Sequence, residues 1–321
     1  MSGASLIEPA GSHGDPLDLE DDVAYRAWRD RKLAAYPRTI DELVVEIADP
    51  AALTLAEHAA IRERCARANM AIYTLAGGRS RDEAEQRAAV LALGRRLGLV
   101  AVEDHRSRDG DGLVAIEVVE SGGRLGYIPY TTRPIAWHTD GYYNYHGPGR
   151  AVQAMLLHCV RDAEGGDNRL LDHEIAYIRL RDEDPRHIVA LMHPEAMTIP
   201  ANIEPDGKVR PVNVGPVLYI DPRSGALGMR YTARTRSISW REDSATRKAV
   251  AALARILADE PLIFVHAAAP GHGAGVQQCP ARPHGLRVRR FCGPPALPHP
   301  LSRPGRLIRD IEEMQWSTSA N

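Results

Sequence analysis

His138 and Asp140 stand two residues apart in the stretch IPYTTRPIAWHTDGYYN, between Trp137 and the pair Tyr142/Tyr143. On an extended strand, residues i and i+2 project to one face, so an imidazole and a carboxylate at this spacing can grip a single cation. Gly141 follows directly and permits a tight turn. One carboxylate and two histidines on one face of an octahedron leave three positions open, the donor set that non-haem Fe(II) oxygenation uses. The spacing alone selects nothing, because His13/Asp15 and His193/Glu195 repeat it with no other support. What separates His138 and Asp140 is the apolar, aromatic run that delivers them. A third ligand has to come from elsewhere in the chain.

The elements that must position this pair are readable in outline. Residues 1–22 are rich in Gly, Pro and Asp and are expected to form a flexible N-terminal arm. A first helix is predicted over DDVAYRAWRDRKLAAYP, stopped by Pro37. ELVVEIAD, residues 42–49, alternates like a strand; LTLAEHAAIRERCARANM has helical spacing, and AIYTL reads as a strand. Ser80 and Glu83 form a capping-box pattern ahead of a helix over AEQRAAVLALGRRLGL. From about residue 112, short apolar runs (LVAIEVVE, AVQAMLLHCV, AMTIPAN, GPVLYID, ALGMRYTA) are separated by Gly, Pro and Asp. That texture predicts an antiparallel β sandwich or jelly roll, interrupted by a helix over residues 243–260 and resumed at PLIFVH.

With 321 residues, 44% of them apolar, the chain can bury a sizeable core. A net charge of −2 and a pI near 6.7 give no electrostatic attraction for nucleic acid or an anionic membrane, so a small-molecule substrate is the expected partner. A homo-oligomer is compatible with this composition. The N-terminus lacks a signal-peptide pattern and no apolar run is long enough for a membrane span, so a cytoplasmic protein is expected. The four cysteines share no short spacing, which predicts reduced thiols.

WHTDGYYN followed by EGGDNRLLDHEIAYIRL resembles the taurine dioxygenase-like (TauD/TfdA) family of Fe(II)- and 2-oxoglutarate-dependent dioxygenases. Similar texture runs from about residue 110 to 266. The resemblance implies an α+β, β-rich fold: a double-stranded β-helix (jelly roll) with flanking and inserted helices, over residues 23–266. It implies Fe(II) as cofactor, 2-oxoglutarate as cosubstrate, and hydroxylation of a small polar molecule. His138 and Asp140 would be iron ligands. Asn168, after Gly165-Gly166-Asp167, falls where many relatives carry a threonine that contacts the cosubstrate carboxylate, and an amide can also donate. Tyr127, Tyr130, Arg133, Tyr142 and Tyr143 are candidate pocket residues.

The same resemblance calls for a distal histidine and an arginine near the C-terminus, preceded by an apolar strand and an Asn-Asn-x-x-His pattern. From Ala267 to Ile308 the chain instead has eight prolines, six arginines, no lysine and no acid. Such a stretch is expected to form a poorly ordered Pro/Arg-rich tail over 267–321 and to supply no paired central strand. Read one base later, with free choice of degenerate third bases, the codons from Ala267 onward can encode Pro-Gly, Asn-Asn-x-x-His and later arginines in the family's order. A frameshifted C-terminus is therefore expected. If the chain is used as written, His266, His272, His284 and His299 are candidates for the third ligand, with His284 nearest the expected spacing. Two other classes fit the same residues: a non-catalytic jelly-roll binding protein with a vestigial metal site, and a Zn2+-dependent hydrolase.

Overall fold

The structure, a computed structural model, describes residues 14–99, 113–118, 128–161, 167–203, 207, 209–277 and 286–291. Helix α1 (Asp22–Ala35) starts at Asp21, whose side chain accepts from the Ala24 N–H. Strand β1 (Val44–Ile47), helix α2 (Leu55–Ala68) and strand β2 (Met70–Leu75) then form a crossover unit, and β1 and β2 pair in parallel. Helix α3 (Glu83–Arg96) follows. Its capping box is Asp82/Glu85, not the expected Ser80/Glu83. Ser80 is committed to a 3-10 turn over Gly78–Ser80, where its hydroxyl donates to the Gly77 carbonyl.

Strands β3 (Leu113–Ile116), β4 (Ala154–Cys159) and β5 (Asn168–Leu170) lead to two helices that the sequence reading left out, α4 (His173–Glu183) and α5 (Pro185–Met192). Short strands come next: β6 (Met197–Ile199), β7 (Asn202–Ile203), β8 (Val209–Arg210), β9 (Asn213–Gly215), β10 (Leu218–Ile220), β11 (Leu227–Met229) and β12 (Ser239–Trp240). Helix α6 (Ser244–Asp259), β13 (Phe264–His266), β14 (His272–Gln277) and β15 (Leu286–Phe291) complete the described chain.

The main sheet has the order β1-β2-β14-β4-β15-β3 and is mixed: β14 is antiparallel to β2 and β4, while β15 is parallel to β4 and β3. The antiparallel expectation is corrected here. A helical crossover such as α2 returns the chain in the same direction, which forces parallel pairing. Smaller sheets β12-β6-β9, β13-β5, β10-β11 and β7-β8 accompany it. The mixed α and β content of the expected class is present, with six α-helices among the described residues.

The expectation that no paired strand follows Ala267 is also corrected. β14 sits between β2 and β4, and β15 between β4 and β3. HGAGVQ and LRVRRF contain no proline, so every ladder donor is available. β14 enters through Gly271 (φ +83), which packs against Gly78 so closely that a Cβ on either would meet the other's Cα at 2.5 Å. Residues 278–285 and 292–321 lie outside the described residues.

The larger core packs α4, α5 and α6 against β-strand residues, with Ile175, Ile178, Leu180, Ile188, Leu191 and Leu253 fully buried. Each such side chain contributes about 2 kcal/mol of transfer free energy. A buried charge network fixes α1 to the chain after β5. Lys32 Nζ lies 2.7 Å from Asp172 Oδ2 and also contacts Glu174, while the Asn69 amide donates to Asp172 Oδ1 at 2.8 Å. Burial alone would raise the Asp172 carboxyl, yet the Lys32 ammonium holds it below the usual carboxylate range.

Candidate metal centre

Trp137, His138 and Thr139 run antiparallel to Tyr231, Thr232 and Ala233. Thr139 N–H donates to the Tyr231 carbonyl at 3.0 Å, Ala233 N–H donates to the Trp137 carbonyl at 2.7 Å, and His138 pairs with Thr232. Hydrogen bonds on either side of the pair, and none between its own backbones, mark the narrow kind, whose side chains stand closest. His138 and Thr232 therefore share a face. Asp140 sits two residues on, and Gly141 (φ +77) then turns the chain, closed by Asn144 N–H donating to the Gly141 carbonyl.

Within this frame the imidazole has a fixed polarity. His138 Nδ1 lies 2.8 Å from the Ala136 carbonyl, which can only accept, so Nδ1 carries the proton and the neutral ring presents its lone pair at Nε2. Nε2 is 3.7 Å from Asp140 Oδ1, and the Asp140 side chain is 2% exposed. A backbone carbonyl orienting the far nitrogen of a histidine is the usual outer support of a metal ligand. The donor set of one imidazole and one buried carboxylate fits a divalent iron. Among the described residues, no third His, Cys, Asp or Glu joins them in a cluster able to hold a metal ion.

Arginines surround the aromatic residues of this segment. Arg230 is buried and donates through Nε to the Tyr142 carbonyl, through Nη1 to the Met197 and Gly215 carbonyls, and through Nη2 to the Asn213 carbonyl and side chain. Its fork thereby ties the turn after Asp140 to β6 and β9, and burial pulls its pKa down to about 10. Tyr142 packs edge-on against His138, at 6.4 Å between ring centroids, and against Tyr143 at 5.2 Å. Arg169 lies over Trp137 at 5.4 Å.

The remaining expectations separate. Asn168 is in β5, opposite His266, and lines a small cavity with Leu157, Cys159, His266, Ala268, Gly273 and Ala274, a set that does not include His138 or Asp140. His266 and His272 stack on each other at 6.4 Å, and neither joins the pair at 138 and 140 in a metal-holding cluster. His284, His299, Gly165, Gly166 and Tyr127 lie outside the described residues. Tyr130 packs with Val114 and Ile116 in a separate cluster, and Arg133 is exposed. Cys65 and Cys159 are free thiols, with burial pushing Cys65 up to about 12. Thr232, Arg230 and Arg234 escaped the sequence reading. ALGMRYTA was read as a strand, but nothing in its composition reveals that it faces His138.

No helix among the described residues is long and apolar enough to cross a membrane. No curated protein matches the chain. Among solved structures, it is similar to an asparagine oxygenase in complex with Fe(II), 2S,3S-3-hydroxyasparagine and succinate, at 18% identity and a TM-score of 0.47, covering 84% of this chain and 79% of that one. It is also similar to the non-heme iron oxygenase OrfP in complex with Fe, succinate and (3S)-hydroxy-L-Arg, at 16% identity and a TM-score of 0.47, covering 72% of this chain and 75% of that one. Residues 40–274, well over half the sequence and including the whole His138–Asp140 segment, match the taurine catabolism dioxygenase TauD, TfdA family, and the chain belongs to that family.

Proposed function

We propose that the protein is an Fe(II)- and 2-oxoglutarate-dependent dioxygenase that hydroxylates a small polar molecule, with His138 and Asp140 as iron ligands. The observation that carries this reading is the polarity of His138: its Nδ1 is committed to Ala136, and its Nε2 faces the buried Asp140 carboxylate. Members of the family use Fe(II) and 2-oxoglutarate, and the chemistry these supply when bound is oxidation of a C–H bond coupled to release of succinate and CO2. The chain's own contribution is geometric. Ala136 orients the imidazole, Gly141 turns the chain after the carboxylate, and Tyr142 packs edge-on against the imidazole. The main sheet and the smaller sheets are the two faces of the double-stranded β-helix in this reading. Asn168, whose strand follows the Gly165-Gly166 segment, is the proposed cosubstrate contact.

The third ligand comes from the C-terminal segment: His284 in the chain as written, or the histidine that a one-base shift creates across codons 281 and 282. The family match ends at residue 274, close to the codon where the shift is placed, which supports the second form. Nucleotide sequence across codons 260 to 310 from independent clones, followed by a succinate-formation assay, tests both. Stoichiometric conversion of 2-oxoglutarate to succinate with Fe(II), stronger in the frame-restored chain, is expected. Activity with Zn2+ and no cosubstrate would contradict the reading. An unambiguous in-frame sequence would remove the shift and leave His284 to be tested by substitution.

A further inference from the structure

Two threonines among the described residues are buried, and they differ in one respect. Thr246, 0% exposed, donates from Oγ1 to Asp243 Oδ2 at 2.7 Å. Thr232, 1% exposed, has a buried hydroxyl with no hydrogen-bond partner among the described residues. A hydroxyl taken out of water in this way destabilises the fold, and a valine at the same buried, extended position would avoid that cost at nearly the same shape. An orphaned polar group in a folded interior calls for a partner that the chain itself does not supply.

The place of Thr232 says which partner that is. It stands across the narrow pair from His138, where facing Cβ atoms lie about 4.5–5.5 Å apart. Threonine carries its hydroxyl on Cβ, so this donor sits beside the imidazole. The framework does not use it: the Thr139 hydroxyl accepts the Tyr231 N–H at 3.0 Å, and His138 Nδ1 is committed to the Ala136 carbonyl. Elsewhere on the ring, the Nε2 lone pair and an ionised Asp140, 3.7 Å apart, are both acceptors, and neither can donate to the other. A cation between them reconciles the two, and a divalent ion with open positions carries water there.

We infer that Thr232 is a positioning residue of the metal centre: its hydroxyl hydrogen-bonds a water that completes the shell of a divalent cation held by His138 and Asp140. This role rests on the reading of that pair as iron ligands. Opposite signs are expected with and without metal. In the metal-free chain the orphaned hydroxyl weakens the fold; with the cation bound it is satisfied and tightens binding.

The test uses the full chain as wild type, Thr232→Val, Thr232→Ser and Asp140→Asn. Each is melted metal-free and then titrated with Co(II), an air-stable stand-in for Fe(II) whose visible absorption reports the ligand shell. Thr232→Val is expected to raise the metal-free thermal midpoint and to weaken Co(II) binding about fivefold, the worth of one hydrogen bond. Thr232→Ser should keep an affinity near wild type, and Asp140→Asn should lose far more than either. Co(II) affinity unchanged in Thr232→Val, or lost equally in Thr232→Ser, would overturn the inference. So would a lower metal-free midpoint in Thr232→Val, because the hydroxyl would then be satisfied within the fold. Co(II) binding unaffected by Asp140→Asn would overturn the ligand reading itself, and this role with it, whatever the threonine variants do.

Discussion

His158 and His138 show the two uses a folded chain makes of a histidine. His158, on β4, is 1% exposed, with Nδ1 3.1 Å from the Tyr73 hydroxyl, Nε2 3.1 Å from Gln86 Oε1, and its ring stacked on Tyr73 at 5.8 Å. Both nitrogens are satisfied inside the protein, so the ring ties β2, β4 and α3 together. His138 lies on an isolated bridge, has one nitrogen held by a carbonyl and directs the other at a carboxylate. His158 and Asp140 are buried, whereas the His138 side chain is 25% exposed. The difference is that one network closes on itself and the other leaves a donor pair converging on a common point.

Substitution should separate the regions sharply. Asp140→Asn or His138→Gln is expected to reduce succinate formation to background while the thermal midpoint stays near wild type, a result checked by a coupled assay and a melting curve. His158→Ala should do the reverse. It opens a cavity and strands the Tyr73 hydroxyl and the Gln86 amide, at about 2–4 kcal/mol read from urea unfolding, with Fe(II) affinity of the folded fraction unchanged. Arg230→Met links the regions, because it frees the carbonyls of Met197 and Gly215 together with that of Tyr142 beside the candidate ligands. It is expected to cost about 2–3 kcal/mol by the same measurement. A fall of about 10-fold in Fe(II) affinity should accompany it, as for other outer supports of a metal site.

The smallest effect concerns His266. Burial, and then the neighbouring His272, hold its pKa below the ordinary value. The unfolded chain therefore takes up this proton more readily than the folded one. The folded state keeps its full stability above pH ~6.5 and loses some as pH falls from there toward the depressed folded value. Urea midpoints at pH 7.5 and 5.5 should differ less in His266→Gln than in wild type.

The same contrast explains what the amino-acid sequence revealed. The pair at 138 and 140 could be singled out as a candidate because both its period-two spacing and the aromatic run around it are local properties. α1 was legible with its stop at Pro37 and α6 as a helix over 243–260, and the strand–helix–strand order of β1, α2 and β2 could be read even though their parallel pairing was not drawn from it. α4 escaped because it was read only as the continuation of the Gly-Gly segment, although Asp172 caps it by accepting from the Glu174 N–H. β14 escaped because HGAGVQ carries no strand pattern, and its place depends on glycines that let Gly78 and Tyr73 approach. The partners of His138 were beyond reach for the same reason, since the register of Thr232 against it arises from contacts remote in sequence.

The central claim is that His138 and Asp140 form one arm of an iron site, and an anaerobic Fe(II) titration of wild type, Asp140→Asn and His158→Ala tests it most directly. One Fe(II) should bind wild type and folded His158→Ala alike, while Asp140→Asn loses more than the ~10–100-fold that removal of an outer support costs. Fe(II) binding that is the same in Asp140→Asn as in wild type would contradict the account.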